Sequence, residues 1–254
     1  MNRIQQSLES AWGVSLATPS PVDRVETPSE VESCHCIFTP LHYERNYAYP
    51  LVVWLHGPQG DERQVNRVMP LVSSRNYAAV GPRGTDTSPA GSHGYTWSQS
   101  SEAIDLAERR VSAAIAAARH WLNIEPSRIF LAGYDAGGTM ALRLALARPE
   151  AYAGVLSLGG ALPNTLRPLA RLHAVRGLKI FLATGRSSQR YPEQEVCGNL
   201  RLLHAAGMAV CLRLYPCGDD LTTNMLSDMD RWIMEQVAPQ PACQDQASER
   251  SGGK

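Results

Sequence analysis

The sequence predicts an α/β protein: a mostly parallel sheet with helices on both faces. Three observations lead there. Seven short apolar runs read as strands, and four longer segments with helical periodicity are interleaved with them. Strands that alternate with helices imply crossover connections, which set neighbouring strands parallel and cover both faces of the sheet. At 254 residues the chain is long enough to bury such a core in one domain.

Residues 1–30 mix Ser, Thr, Pro and acidic groups with little periodicity beyond a weakly amphipathic Ile4 to Trp12, so they are read as a poorly ordered lead-in. The domain itself is expected over 31–238. Its strands are Cys34 to Phe38, Leu51 to Leu55, Ala78 to Val80, Ile129 to Ala132, Val155 to Leu158, Ile180 to Ala183 and Val210 to Tyr215. On the first of them Cys34 and Cys36 share a face while His35 points away, which favours core packing over metal binding. The helices are Ser101 to Leu122, Gly138 to Ala147, Glu193 to Ala206 and Thr222 to Val237. In the last, Thr222 and Thr223 are candidate N-caps, and Met225, Met229, Trp232 and Ile233 fall on one face. From Pro239 the chain turns rich in Gln, Ser, Gly and Lys, and 239–254 is read as a disordered tail.

Lys plus Arg balances Asp plus Glu at 24 each, so no global field draws the protein to nucleic acid or an anionic membrane. A small-molecule ligand or a protein partner is the expectation, with self-association left open. No apolar run reaches the roughly 18 residues of a membrane span, and Met1 to Gln6 lacks the apolar core of a signal peptide; a cytoplasmic location is expected. The six cysteines show neither a disulfide framework nor zinc spacing and are read as reduced thiols. Neither a metal nor a cofactor is implied.

The most informative stretch is Leu131-Ala132-Gly133-Tyr134-Asp135-Ala136-Gly137-Gly138, directly after a strand and opening a helix. Glycines flanking one exposed residue mark a sharp, crowded strand-to-helix turn, the frame of a nucleophile elbow of type G-x-S-x-G. The central position holds Asp135 instead of serine. Earlier in the chain Leu51 to Leu55 runs into His56-Gly57-Pro58-Gln59-Gly60, and later Gly81-Pro82-Arg83-Gly84 is followed by Gly94-Tyr95-Thr96-Trp97.

In that order these landmarks resemble the α/β-hydrolase superfamily, in its carboxylesterase, phospholipase and polyhydroxybutyrate-depolymerase-like branch, over about Cys34 to Val237. The resemblance implies an α/β-hydrolase fold. It also implies that the His56, Gly57, Pro58, Gln59 turn gives half of an oxyanion hole, the other half being the N–H of Ala136. Because Pro58 has no N–H, Gln59 or Gly60 would donate. Tyr95 and Trp97 would wall the substrate pocket or simply pack their loop down, and His93 in the same loop is either a replacement base or a solvated side chain.

The resemblance also assigns the triad, ordered nucleophile, acid, histidine. The acid sits three residues beyond a strand-closing glycine with a proline four residues later; Gly185 and Pro192 put that slot at Ser188. The histidine slot, in Tyr215-Pro216-Cys217-Gly218-Asp219 before the final helix, falls on Asp219. All three positions, Asp135, Ser188 and Asp219, thus depart from the pattern, and classical acyl transfer lacks its hydroxyl, base and acid.

Four readings follow. The protein is a pseudoenzyme that keeps the pocket for a ligand or partner. Alternatively Asp135 is a nucleophile toward an ester, epoxide or alkyl halide, as in relatives that place Asp at the elbow. In a third reading Asp135 and Asp219 form a carboxylate pair that shares a proton or holds a divalent cation. In a fourth, compatible with the first, Asp135 is only an N-cap. The pocket is expected to be bounded by His56 to Gln59, Tyr95, Trp97, Asp135 and Asp219, and its negative charge to favour neutral or cationic ligands.

Overall fold

A computed structural model describes residues 34–88, 93–163 and 175–238. The expected lead-in and tail lie outside the described residues. In chain order the elements are β1 (His35–Phe38), β2 (Tyr49–Leu55), α1 (Gln64–Val72), β3 (Ala78–Pro82), a small ladder of β4 (Asp86–Thr87) and β5 (Tyr95–Thr96), and α2 (Ser101–Trp121). There follow β6 (Ile124–Tyr134), α3 (Ala136–Ala147), β7 (Gly154–Leu158), β8 (Lys179–Gly185), α4 (Glu193–Ala205), β9 (Ala209–Tyr215) and α5 (Thr223–Val237).

The main sheet has seven strands in the order β1-β3-β2-β6-β7-β8-β9, parallel throughout except that β1 runs antiparallel to β3 at the edge. The apolar runs of its inner strands are buried on both faces, as a parallel sheet covered by helices requires, and the edge strands β1 and β9 are only partly buried. Leu51, Val53 and Leu55 enter one core with Leu131, Ile180 and Leu182, beneath α2, α3 and α4. Val52 and Trp54 enter the other with Phe130, Phe181 and Leu156, beneath α1 and α5. On β1 the same alternation sends Ile37 to the first core and Cys36 and Phe38 to the second. No disulfide joins the described cysteines.

Local chemistry fixes the helix ends. Ser100 Oγ accepts from the Ala103 N–H at 3.2 Å to start α2, and Thr222 Oγ1 accepts from Met225 at 3.3 Å to start α5. Met225, Met229, Trp232 and Ile233 are all buried, with the Trp232 ring 5.7 Å from Phe181 and 6.3 Å from Phe130. One helix was not expected: α1 carries Pro70, which in the sequence reads as a breaker. In the structure Pro70 falls in the final turn, and Val65, Val68, Met69 and Val72 form an i, i+3, i+4, i+7 stripe buried on the α5 side. β6 also begins earlier than its apolar run, because Ile124 pairs with Tyr49 before the register shifts and resumes at Ile129 opposite Leu51. Among the described residues no helix is long and apolar enough to cross a membrane.

Candidate functional site

The carboxyl ends of β6, β7, β8 and β9 meet at one cleft, the place where parallel sheets collect ligands. Its centre is Asp135, the single residue between β6 and α3, at φ 52° and ψ −119°. A non-glycine residue held at positive φ is strained, and here crowding holds it. A Cβ at Gly133 would stand 2.5 Å from the Gly137 carbonyl, and one at Gly137 would collide with the Leu55 and His56 carbonyls. The glycines therefore let β6, α3 and the end of β2 close to contact, with Asp135 at the apex of the turn. Its side chain makes no capping hydrogen bond to α3, contrary to the N-cap reading. Instead Asp135 Oδ2 is ion-paired with Arg190 Nη1, from the loop after β8.

Ser188 and Asp219 meet in the same cleft. The Ser188 hydroxyl donates to Asp219 Oδ1 at 2.5 Å and accepts from the buried Tyr191 N–H at 2.9 Å. Asp219 Oδ2 also accepts from Gln189 N–H at 3.2 Å, and its own carbonyl accepts from the Tyr134 hydroxyl. The Ser188 hydroxyl, helped by the Gln189 and Arg190 N–H groups and the Arg190 charge, holds the Asp219 carboxyl below its ordinary value against a weak desolvation. A carboxylate pair sharing one proton would push a pKa the other way. Arg190 occupies Oδ2 of Asp135, so a cation on that oxygen competes with the guanidinium.

The turn after β2 is largely committed to itself. The Gly57 N–H donates to Gln64 Oε1 at 3.2 Å and the Gly60 N–H to the Gly57 carbonyl at 3.1 Å. With Pro58 lacking a donor, Gln59, at φ 60°, keeps the one N–H of that turn with no partner among the described residues. Ala136, first residue of α3, keeps another. His56 is fully buried: Nδ1 donates to the Gly57 carbonyl at 2.8 Å while Nε2 accepts from the Gly84 N–H at 2.9 Å. That assigns a neutral ring, and burial lowers its pKa below the usual histidine value.

The expected pocket boundary needs correction. Trp97 is 3% exposed and gives its indole N–H to the His56 carbonyl at 2.9 Å, so it packs the loop down. Tyr95 lies under the Arg83 guanidinium, 4.9 Å from ring centre, with its N–H on the Gly60 carbonyl. Neither lines the cavity at Asp135, nor does the exposed His93 or the buried His56 ring. That cavity, about 10 Å³, has Asp135, Ser188 and Asp219 on its walls together with Tyr134, Thr184 and Asp220. Pro58 and Gln59 border a second, open depression of about 480 Å³ with Arg67, Leu71 and Leu221. Arg190 and Thr184 were missed in the sequence. Thr184 closes an apolar strand and Arg190 is one arginine in a polar loop, so only their closeness to the Ser188 slot marked them.

A family model described as Phospholipase/Carboxylesterase matches residues 44–233. NocK of Nocardia uniformis subsp. tsuyamanensis, a protein bearing an esterase name, is 32% identical over 125 residues, 45% of this chain and 34% of NocK. The chain thus matches about a third of that curated relative's length. Among solved structures, a carboxylesterase of Bacillus cereus superimposes with a TM-score of 0.64 at 18% identity, covering 80% of this chain and 93% of that one. SOBER1 of Arabidopsis thaliana gives 0.62 at 19%, covering 75% and 100%. Likeness at those identities concerns the fold, and the seven-stranded, mostly parallel sheet with helices on both faces is that fold. The matched family segment spans well over half of the chain and takes in all of the cleft residues, and the protein belongs to the phospholipase/carboxylesterase family of α/β-hydrolases.

Proposed function

We propose that this protein keeps the cleft of its family for binding and does not carry out serine-type ester hydrolysis. The observation that carries the reading is Asp135 itself: the elbow position bears a carboxylate paired with Arg190, where acyl transfer needs an ionisable hydroxyl. The other two slots support it. Ser188 and Asp219 form a closed hydrogen bond with each other, and neither is a base of near-neutral pKa.

The alternative, Asp135 as a nucleophile on an ester, epoxide or alkyl halide, requires a base that delivers water to the alkyl-enzyme ester. Among the described residues no histidine lines the cavity, and His173 lies outside them. The guanidinium of Arg190 further lowers the nucleophilicity of the carboxylate it pairs with.

The test is hydrolysis of short-chain 4-nitrophenyl esters, a small epoxide set and a small haloalkane set by the native protein and by Asp135→Ala. A fluorophosphonate probe read by intact mass accompanies it. No turnover in either protein and no adduct are expected. Turnover that disappears in Asp135→Ala, or a covalent phosphonate adduct on the native chain, overturns the reading.

A further inference from the structure

Three carboxylates, Asp135, Asp219 and Asp220, line the cavity at the elbow, and the cation set against them is Arg190. Asp219 takes its hydrogen bonds from the loop after β8 and Asp220 is exposed, which leaves Asp135 as the acceptor that faces inward. Thr184, 1% exposed at the end of β8, lines the same cavity, and its hydroxyl has no hydrogen-bond partner among the described residues. No group of the chain uses this hydroxyl's hydrogen-bonding capacity, so a ligand in the cavity meets a polar partner there. The Tyr134 ring completes the wall.

We propose that this cleft binds a small monovalent organic cation, a guanidinium or primary ammonium group, which takes the place of Arg190 on Asp135. This rests on the cleft being a binding site rather than an ester-hydrolysing one. Arg190 shows that a guanidinium reaches Asp135, and its side chain is 57% exposed, with solvent beside it to receive the displaced guanidinium. While it is seated the cavity has about 10 Å³, room for about one water and no more. Arg190 is therefore an internal competitor: the binding-competent state is the fraction in which it has left. Ligand affinity is reduced by that fraction. The incoming cation ion-pairs with Asp135 and donates to the Thr184 hydroxyl oxygen, the two contacts that the chain itself does not make together.

Calorimetric titration with methylguanidinium chloride and methylammonium chloride, against sodium chloride at the same ionic strength, tests this on the native chain, Arg190→Ala and Arg190→Ala/Asp135→Asn. Arg190→Ala is expected to bind about tenfold tighter than the native protein, and the double variant to lose binding. Arg190→Gln serves if Arg190→Ala does not fold. Thr184→Val in the Arg190→Ala background is expected to weaken binding severalfold. Equal affinity in native and Arg190→Ala proteins, binding that survives Asp135→Asn, or magnesium chloride binding as tightly as the organic cations overturns the proposal. The arm that saturates first chooses guanidinium or ammonium. Ester turnover would overturn the proposed function without moving this titration, and absent cation binding would leave the hydrolysis assay untouched.

Discussion

The backbone at Asp135 carries strain that catalysis, in a serine enzyme, would justify. At φ 52° and ψ −119° glycine sits at little cost and any side chain at about 1–3 kcal/mol. Asp135→Gly is expected to be more stable than Asp135→Ala by about 1 kcal/mol in chemical denaturation, since both remove the pair with Arg190 and only one keeps the strain. Equal stabilities would mean that the elbow relaxes. Ser188→Ala is expected to destabilise by about 1–3 kcal/mol by leaving the buried Tyr191 N–H without an acceptor. Part of its deficit depends on pH. The folded pKa of Asp219 lies below its unfolded value of 3.8, so the Ser188 contribution through Asp219 is complete above about pH 4 and is lost as pH falls through the lower folded value. The gap between native and Ser188→Ala proteins should therefore narrow in acid; a gap that widens there contradicts the assignment. Asp135 could be read from the sequence because Gly133 and Gly137 frame it, whereas its partner could not. An arginine in a polar loop has no periodicity and no motif, and only the fold brings Arg190 back over the elbow.

At the scale of elements, the turn after β2 is held by His56 more than by its glycines. The buried neutral ring joins the Gly57 carbonyl to the Gly84 N–H, and thereby ties the end of β2 to the loop after β3. Removing it in His56→Ala orphans a buried N–H and opens a cavity, for an expected loss of about 3 kcal/mol at an unchanged denaturant slope. Burial lowers the folded pKa of His56 below the ordinary 6.5, so its contribution is present above that pH and is lost as pH falls toward the folded value. His56→Ala should flatten that segment of the stability profile; an unaltered slope would place the titration elsewhere. The strands were legible because both faces of a parallel sheet are apolar, which makes each one a run. Helix α1 was hidden for a physical reason: Pro70 reads as a breaker, and only the structure shows that it stands in the last turn, where the bond it removes interrupts the end of the helix and not its middle. The pocket wall failed similarly. Tyr95 and Trp97 have the composition of a wall, but whether a ring faces a cleft or its own loop is decided by partners such as the His56 carbonyl and the Arg83 guanidinium.

For the whole molecule the question is whether the three altered slots still stand in working relation to one another. Ser188 Oγ and Asp219 Oδ1 lie 2.5 Å apart, so side chains at these two positions reach each other, as an acid and a histidine must. The N–H groups of Gln59, in the turn after β2, and of Ala136, next to Asp135, have no partner among the described residues, and unpaired donors are what an oxyanion needs. If the scaffold is intact, Asp135→Ser, Ser188→Asp and Asp219→His made together should yield hydrolysis of 4-nitrophenyl acetate, at least about a hundredfold above the native chain, since positioned general-base catalysis alone contributes that much. Loss of the carboxylate at 135 also releases Arg190, and the cavity widens toward solvent. The triad acts as a unit, so any two of the three substitutions should give little of the gain. A triple variant no faster than its doubles, with the fold verified by circular dichroism, would mean that the cleft has diverged in backbone as well as in side chains, and that the resemblance at these positions is one of order along the chain alone.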